Sequence, residues 1–304
     1  MQKNNRALTG AFLTSLGGIC WGLSGSVGQY LFTAEHMDAR WLVPVRLGAA
    51  GILLLLYCFL RYGTFVLKPW CSRRDRIDLL IYGLLGVSMC QFLYFLTIQL
   101  SSAAIATILQ DLSPVLILLC ECAALKRAPS RKDLLCVTLA LAGVFLLSTH
   151  GSLTHLAIPP EALVTGILSA VCVTIYNVHP KRLLSVYPVV LLQGWAFLLG
   201  SILFALAFRS WTIPAVITPS GLAGILFVII VGNLLAFPCY MSGVRLIGPK
   251  RSILYSFFEP LTAAVISVLF FQQPVHIADV FGFFLIFLMI ILLSRTQEPS
   301  PQEN

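Results

Sequence analysis

The sequence predicts an all-α membrane protein of ten transmembrane helices arranged as two inverted five-helix repeats. Composition is the first observation behind this: the 304 residues are 58% hydrophobic and 11% charged, where a soluble domain carries about 25% charged residues. The second is that apolar runs of about 20 residues recur along the whole chain, the length that crosses ~30 Å of hydrocarbon at ~1.5 Å per residue. The third is a shared plan. Tyr94–Asp133 and Tyr240–Asp279, offset by 146 residues, each run through an apolar helix end, a short turn, an apolar helix broken near its start by proline, and a loop. The offset aligns Tyr94 with Tyr240, Leu100 with Leu246, Pro114 with Pro260 and Asp133 with Asp279. Four identities in forty positions weigh little, so the order of features carries the inference of a duplication.

In chain order the apolar windows fall at 9–32, 41–60, 77–98, 102–125, 132–149, 161–179, 186–208, 220–242, 251–271 and 275–294. They are read as helices because backbone groups in lipid must be bonded within the segment or in a closed barrel, and these runs do not alternate as barrel strands do. The opening MQKNNR resembles the start of a signal sequence, but the long apolar run behind it, with nine more following, reads as an uncleaved first span. This divides the chain into a first repeat at 1–150, a second at 151–295 and a polar tail at 296–304.

The basic residues set the orientation. With the N-terminus inside, seventeen Lys and Arg fall in inside segments, only Arg40 and Arg209 fall outside, and Arg46 lies within the second span. The positive-inside rule then puts both termini in the cytoplasm. Five spans per repeat is an odd number, so the second repeat enters from the opposite side and the repeats are inverted. The formal net charge of +8 sits between apolar runs rather than on a basic domain, which excludes nucleic acid as the expected partner.

Cofactor chemistry finds no foothold. Eight of the nine cysteines fall in spans, Cys71 lies in an inside loop, and there is no CxxC pair; Cys120 and Cys122 point to different helix faces. No Walker-type loop is present. The five histidines lie at loops and span ends, which disfavours a membrane-embedded enzyme, and no filter-like motif suggests a channel. The expected cofactor is none.

Charges inside the spans are the informative residues, because a charge at bilayer depth costs a few kcal/mol and faces a cavity or a partner. They are Arg46, Asp111, Glu121 and Glu259. Asp111 and Glu259 each lie roughly 12 Å deep by the ~1.5 Å rise per residue. Each is followed by a proline, Pro114 or Pro260, which withdraws a backbone donor and can kink the helix. Two readings stand beside each other: a transport site, or a structural ion pair of Arg46 with Asp111 or Glu259, with Glu121 leaning toward the cytoplasmic end. At similar depth lie Trp21, Gln91, Tyr94, Gln110, Tyr176, Asn177, Asn233, Tyr240 and Tyr255. In the first span, Gly17, Gly18, Gly22, Ser24, Gly25 and Gly28 form a series suited to close helix packing.

ALTGAFLTSLGGICWGLSG in the first span, VPVRLGAAG in the second, LQDLSP in the fourth, FFEPL in the ninth and the DVFGFFLIFLMIILL ending together resemble the EamA family of the drug/metabolite transporter superfamily, over roughly 8–295. The resemblance implies a five-plus-five inverted-repeat bundle that moves metabolites such as amino acids by alternating access through a central cavity. Trp21, Arg46, Pro114, Glu259 and Pro260 match the family pattern position by position. The family's glutamate past the fourth and ninth spans is replaced here, with Arg127 and Gln273 at the aligned places, and Asp111 is not part of the pattern.

The expected function is therefore a secondary transporter of the inner membrane, with small amino acids, aromatic ones among them, as solute, export as direction, and the lipid bilayer as the other partner. A multidrug or cation transporter, or a nucleobase transporter, of the same fold is the alternative. Ten helices can enclose a cavity alone, so a monomer suffices. The candidate pathway is Trp21, Arg46, Gln91, Tyr94, Gln110, Asp111, Tyr176, Asn177, Tyr240, Tyr255 and Glu259.

Overall fold

Eight helices of the computed structural model are long and apolar enough to cross a membrane. They are α1 (Ala7–Thr33), α2 (Ala39–Cys71), α3 (Arg73–Leu100), α4 (Ala103–Ala124), α5 (Arg131–Thr149), α6 (Pro160–Val178), α7 (Val189–Phe208) and α8 (Pro219–Ile247). Two shorter apolar helices, α9 (Phe258–Leu269) and α10 (Ile277–Leu292), stand where the ninth and tenth windows are expected. The structure describes residues 2–152, 157–179, 181–215, 218–248, 252, 255 and 257–296. Most of the start of the ninth window, with Lys250 and Arg251, and the tail from 297 lie outside the described residues.

Local chemistry sets the helix ends. Asp38 accepts the Arg40 backbone N–H at 2.7 Å to open α2, and Gln99 accepts the Ala39 N–H at 2.8 Å from the end of α3. Ser130 and Asp133 form a reciprocal capping box at the start of α5, and Thr218 caps α8. One connection departs from the expected loop: after Tyr62 the chain continues as a 3₁₀ turn, Gly63–Leu67, and a single helical turn, Lys68–Cys71.

Three segments are interrupted. α3 is α-helical over Arg73–Leu80, π-helical over Ile81–Ser88 and α-helical again over Met89–Leu100. α8 repeats that order with Pro219–Phe227, Val228–Leu235 and Ala236–Ile247. The wide turns hold Gly86 and Gly232, which are 146 residues apart. π-helical turns are uncommon and gather at functional sites. α4 breaks between Ala103–Gln110 and Ser113–Ala124, where Pro114 has no N–H for the Gln110 carbonyl.

The helices pair in a regular way. α1 packs on α8 and α9, α6 packs on α3 and α4, α2 on α7, α5 on α10, and α4 meets α9. Exchanging α1–α5 with α6–α10 leaves this set of pairs unchanged. Glycines permit the closest approaches: a side-chain Cβ at Gly22 would stand 2.5 Å from the Glu259 carbonyl, and one at Gly25 would stand 2.7 Å from the Tyr94 hydroxyl. One apolar core joins α1, α2, α3, α7 and α8 with the start of α4 and Ala263 of α9, and a second joins α4, α5 and α10. Leu, Ile and Phe side chains such as Leu60, Leu141, Leu206 and Phe281 remain exposed, as a lipid-facing surface requires.

Candidate functional site

A guanidinium sits at the centre of the bundle. Arg46 of α2 is 1% exposed. It donates to Gln91 Oε1 in α3 and, at 3.5 Å, to Asn233 Oδ1 in the π-helical turn of α8, and it lies 3.6 Å over the Phe95 ring. Its Nε has no hydrogen-bond partner. Neutral amide oxygens and the negative face of a ring offset part of the cost of burying a cation, which is several kcal/mol. They leave its charge uncompensated. The ion pairs among the described residues involve Asp38, Asp75, Asp78, Asp133 and Asp279, and none joins Arg46 to Asp111 or Glu259. The ion pair that the sequence left open is not formed in this structure.

The two acids come from broken helices. Asp111 ends the first part of α4, and its buried Oδ2 has no hydrogen-bond partner. Glu259 lies in the first turn of α9, half-buried, with Pro260 behind it. Its helix packs against the first part of α4, which Asp111 ends, and the buried Tyr94 hydroxyl of α3 has no hydrogen-bond partner. The broken helices thus bring two acidic groups into a bundle with one buried guanidinium, and Arg46 Nε and Asp111 Oδ2 have no hydrogen-bond partner.

Aromatic and amide groups surround them. The rings of Trp21 and Tyr240 are 5.2 Å apart, joining α1 to α8. Cys90 faces the Gln110 amide oxygen at 3.8 Å and packs in a small cluster with Cys172, Val173 and Tyr176, joining α3, α4 and α6. Asn177 points away from this gathering: it is exposed and donates to the Val173 carbonyl of its own helix at 2.8 Å. Tyr255 is half-buried just ahead of α9, and Glu121 is half-buried further along α4. Among the described residues no three His, Cys, Asp or Glu side chains are placed to share a metal ion. A groove between α2 and α7, lined by Trp41, Val45, Ala205 and Trp211, shares no residue with the central group.

Residues 8–149 and 161–295 match the EamA-like transporter family. The chain belongs to the EamA-like transporter family. Among curated relatives, it is 33% identical to the Salmonella typhimurium protein named as an uncharacterised inner membrane transporter, YicL, over 91% of this chain and 92% of the relative. It is 24% identical to Protein PecM of Dickeya dadantii, over 74% of this chain and 78% of that one. A chain of known crystal structure superposes with a TM-score of 0.61 at 19% identity, covering 95% of this chain and 96% of that one, which shows the fold alone.

Membership makes this EamA chain a membrane transporter and not an enzyme. Two parts of its centre escaped the candidate set drawn from sequence. Asn233 stood among the polar residues but not among the pathway candidates, and only the approach of α8 to α2 makes it an Arg46 partner. Phe95 carries no signal in an apolar run. Its neighbour Tyr94 drew notice for its hydroxyl, while the ring under the guanidinium is Phe95.

Proposed function

We propose that this chain is a secondary transporter of small zwitterionic metabolites, amino acids foremost and aromatic ones among them, working by alternating access through the centre of the bundle. The observation that carries this reading is a buried Arg46 that no acid compensates, in a bundle whose broken helices α4 and α9 hold Asp111, with its buried Oδ2 unpartnered, and Glu259. A carboxylate accepts from the free guanidinium edge, an ammonium group binds the acids, and the Trp21–Tyr240 pair offers an apolar face. Trp21, Gln91, Tyr94, Gln110, Tyr176 and Tyr255 complete the proposed pathway, with Asn177 at its margin.

The halves 1–150 and 151–295 act as inverted repeats of five spans each in this reading. Support comes from the helix pairs between the halves, which survive exchange of the halves, and from the matching π-helical turns of α3 and α8. The excess of basic residues on one face supports cytoplasmic termini. The relative named as an inner membrane transporter supports that location. Export is the proposed direction and a monomer the proposed unit.

The test is flux into proteoliposomes of purified protein, with labelled amino acids, nucleobases and organic cations, each with and without a pH gradient. Saturable amino-acid flux is expected. A second reading has its own observation: two acids against one guanidinium favour an organic cation. Flux of cations alone would select it and remove the amino-acid reading.

A further inference from the structure

Two side-chain clusters that the central site does not use lie at opposite ends of the bundle. On the basic face, Arg182 in the α6–α7 connection donates to Asp75 at 2.5 Å and to Asp78 at 2.8 Å, both at the start of α3. Tyr187 donates to the other Asp75 oxygen at 2.8 Å, and His179 approaches Asp78 at 3.6 Å. On the opposite face, Glu35 in the α1–α2 connection accepts from Thr218 at 2.5 Å and Ser220 at 2.6 Å, both at the start of α8, and from Tyr30 at 2.9 Å.

These places are related by the exchange that preserves the pairs between the halves: the start of α3 corresponds to the start of α8, and the α6–α7 connection to the α1–α2 connection. Each cluster ties the first arm of an interrupted helix, 73–80 or 219–227, to the other half of the chain. A π-helical turn follows each arm, and beyond or within it stand Gln91 and Asn233, the two amides on Arg46. A helix is weakest in register where its bonds shift to i→i+5, so an arm freed at its tip can swing there.

We propose that Asp75, Asp78, Arg182 and Tyr187 form the latch of one gate and Glu35, Thr218 and Ser220 the latch of the other. The arms 73–80 and 219–227 are the moving parts, hinged at the two π-helical turns, and opening one gate shifts an amide on Arg46. The latches differ in chemistry. One is an ion-pair network of four side chains joined by His179, the other a carboxylate held by hydroxyls. This rests on the alternating-access reading.

Hydrogen–deuterium exchange of the full chain in lipid tests it without any transported solute, so its failure is separable from a failure of the flux assay. Arg182→Gln is expected to speed exchange of 73–80 by about two- to fivefold, the range of a partly exposed ion pair, and to slow exchange of 219–227. Glu35→Gln is expected to do the reverse. Tyr187→Phe and Ser220→Ala, which each remove one hydrogen bond and no charge, should show the same reciprocal pattern at smaller size should the first pair fold poorly. Faster exchange at the altered end with no opposite change at the other end would overturn the proposal, and so would no change at either.

Discussion

α3 and α8 share a backbone and differ in chemistry. Both run helix, π-helical turn, helix, and both place a glycine of the turn against another helix, Gly86 on Tyr176 of α6 and Gly232 on Ser24 of α1. At their first turns the resemblance ends. α3 begins with acids that meet an arginine, α8 with hydroxyls that meet a glutamate. Toward the centre each gives Arg46 one amide, but from different positions, Gln91 past the turn of α3 and Asn233 inside the turn of α8. The difference teaches that backbone geometry can persist in both helices while side chains diverge, so any functional asymmetry between the two ends belongs to the side chains.

The sharpest way to break the comparison is at the residue where the two helices meet. Arg46→Met removes a buried charge that no acid compensates but leaves the Gln91 and Asn233 amide oxygens without their donor, so the two effects oppose and thermal stability in detergent is expected to change by no more than about 1–3 kcal/mol. Flux is expected to fall about 10- to 100-fold, the loss of one charge-assisted hydrogen bond of about 1.5–3 kcal/mol to the solute. A variant that loses more stability than that, and flux with it, would make Arg46 a structural residue.

The next effect lies in packing. A Cβ at Gly86 would stand 2.6 Å from the Tyr176 Cβ, and one at Gly232 would run into Ser24. Gly86→Ala and Gly232→Ala should each cost about 1–3 kcal/mol by overpacking, seen as a lower melting temperature. Equal losses sharpen the equivalence of α3 and α8; a loss confined to one breaks it. Gly22→Ala should cost a similar amount, since its Cβ would meet the Glu259 carbonyl, which is backbone and cannot rotate away.

The smallest effect is electrostatic. The hydroxyls of Ser220, Thr218 and Tyr30 hold the Glu35 carboxyl below its ordinary value of 4.5, with His36 adding to the same direction. A carboxyl depressed in the closed latch stabilises that latch above the ordinary value, and the contribution is lost as pH falls through the lowered one. Exchange of 219–227, corrected for its intrinsic pH dependence, should therefore rise below about pH 4.5 in the intact chain and show no such step in Glu35→Gln.

Much of the architecture was legible in the residues because lipid makes hydropathy decisive: the eight long helices and α10 fall near the windows drawn from apolar runs. The break at Asp111, Ser113 and Pro114 was legible too, since proline removes a donor wherever it stands. The π-helical turns were not, because no residue type demands them; Gly83, Gly86 and Gly232 lie within them against neighbouring helices. The partners of Arg46 were half legible. Gln91 was singled out as a polar residue in lipid, whereas the choice of amides over acids depends on how α2, α3 and α8 converge. Asn177 shows the converse: a polar residue at the right depth satisfies itself on its own helix. The clusters at Arg182 and Glu35 join residues over a hundred positions apart, beyond any local pattern.

The most direct measurement is amino-acid flux into proteoliposomes by the intact chain and by Glu259→Gln, each with and without an imposed pH gradient. Saturable flux that falls about tenfold or more in the variant, the order of one lost charge-assisted contact, is the predicted result. Equal flux of the intact chain and the variant under both conditions, from folded protein, would contradict the account by removing the acid from the site.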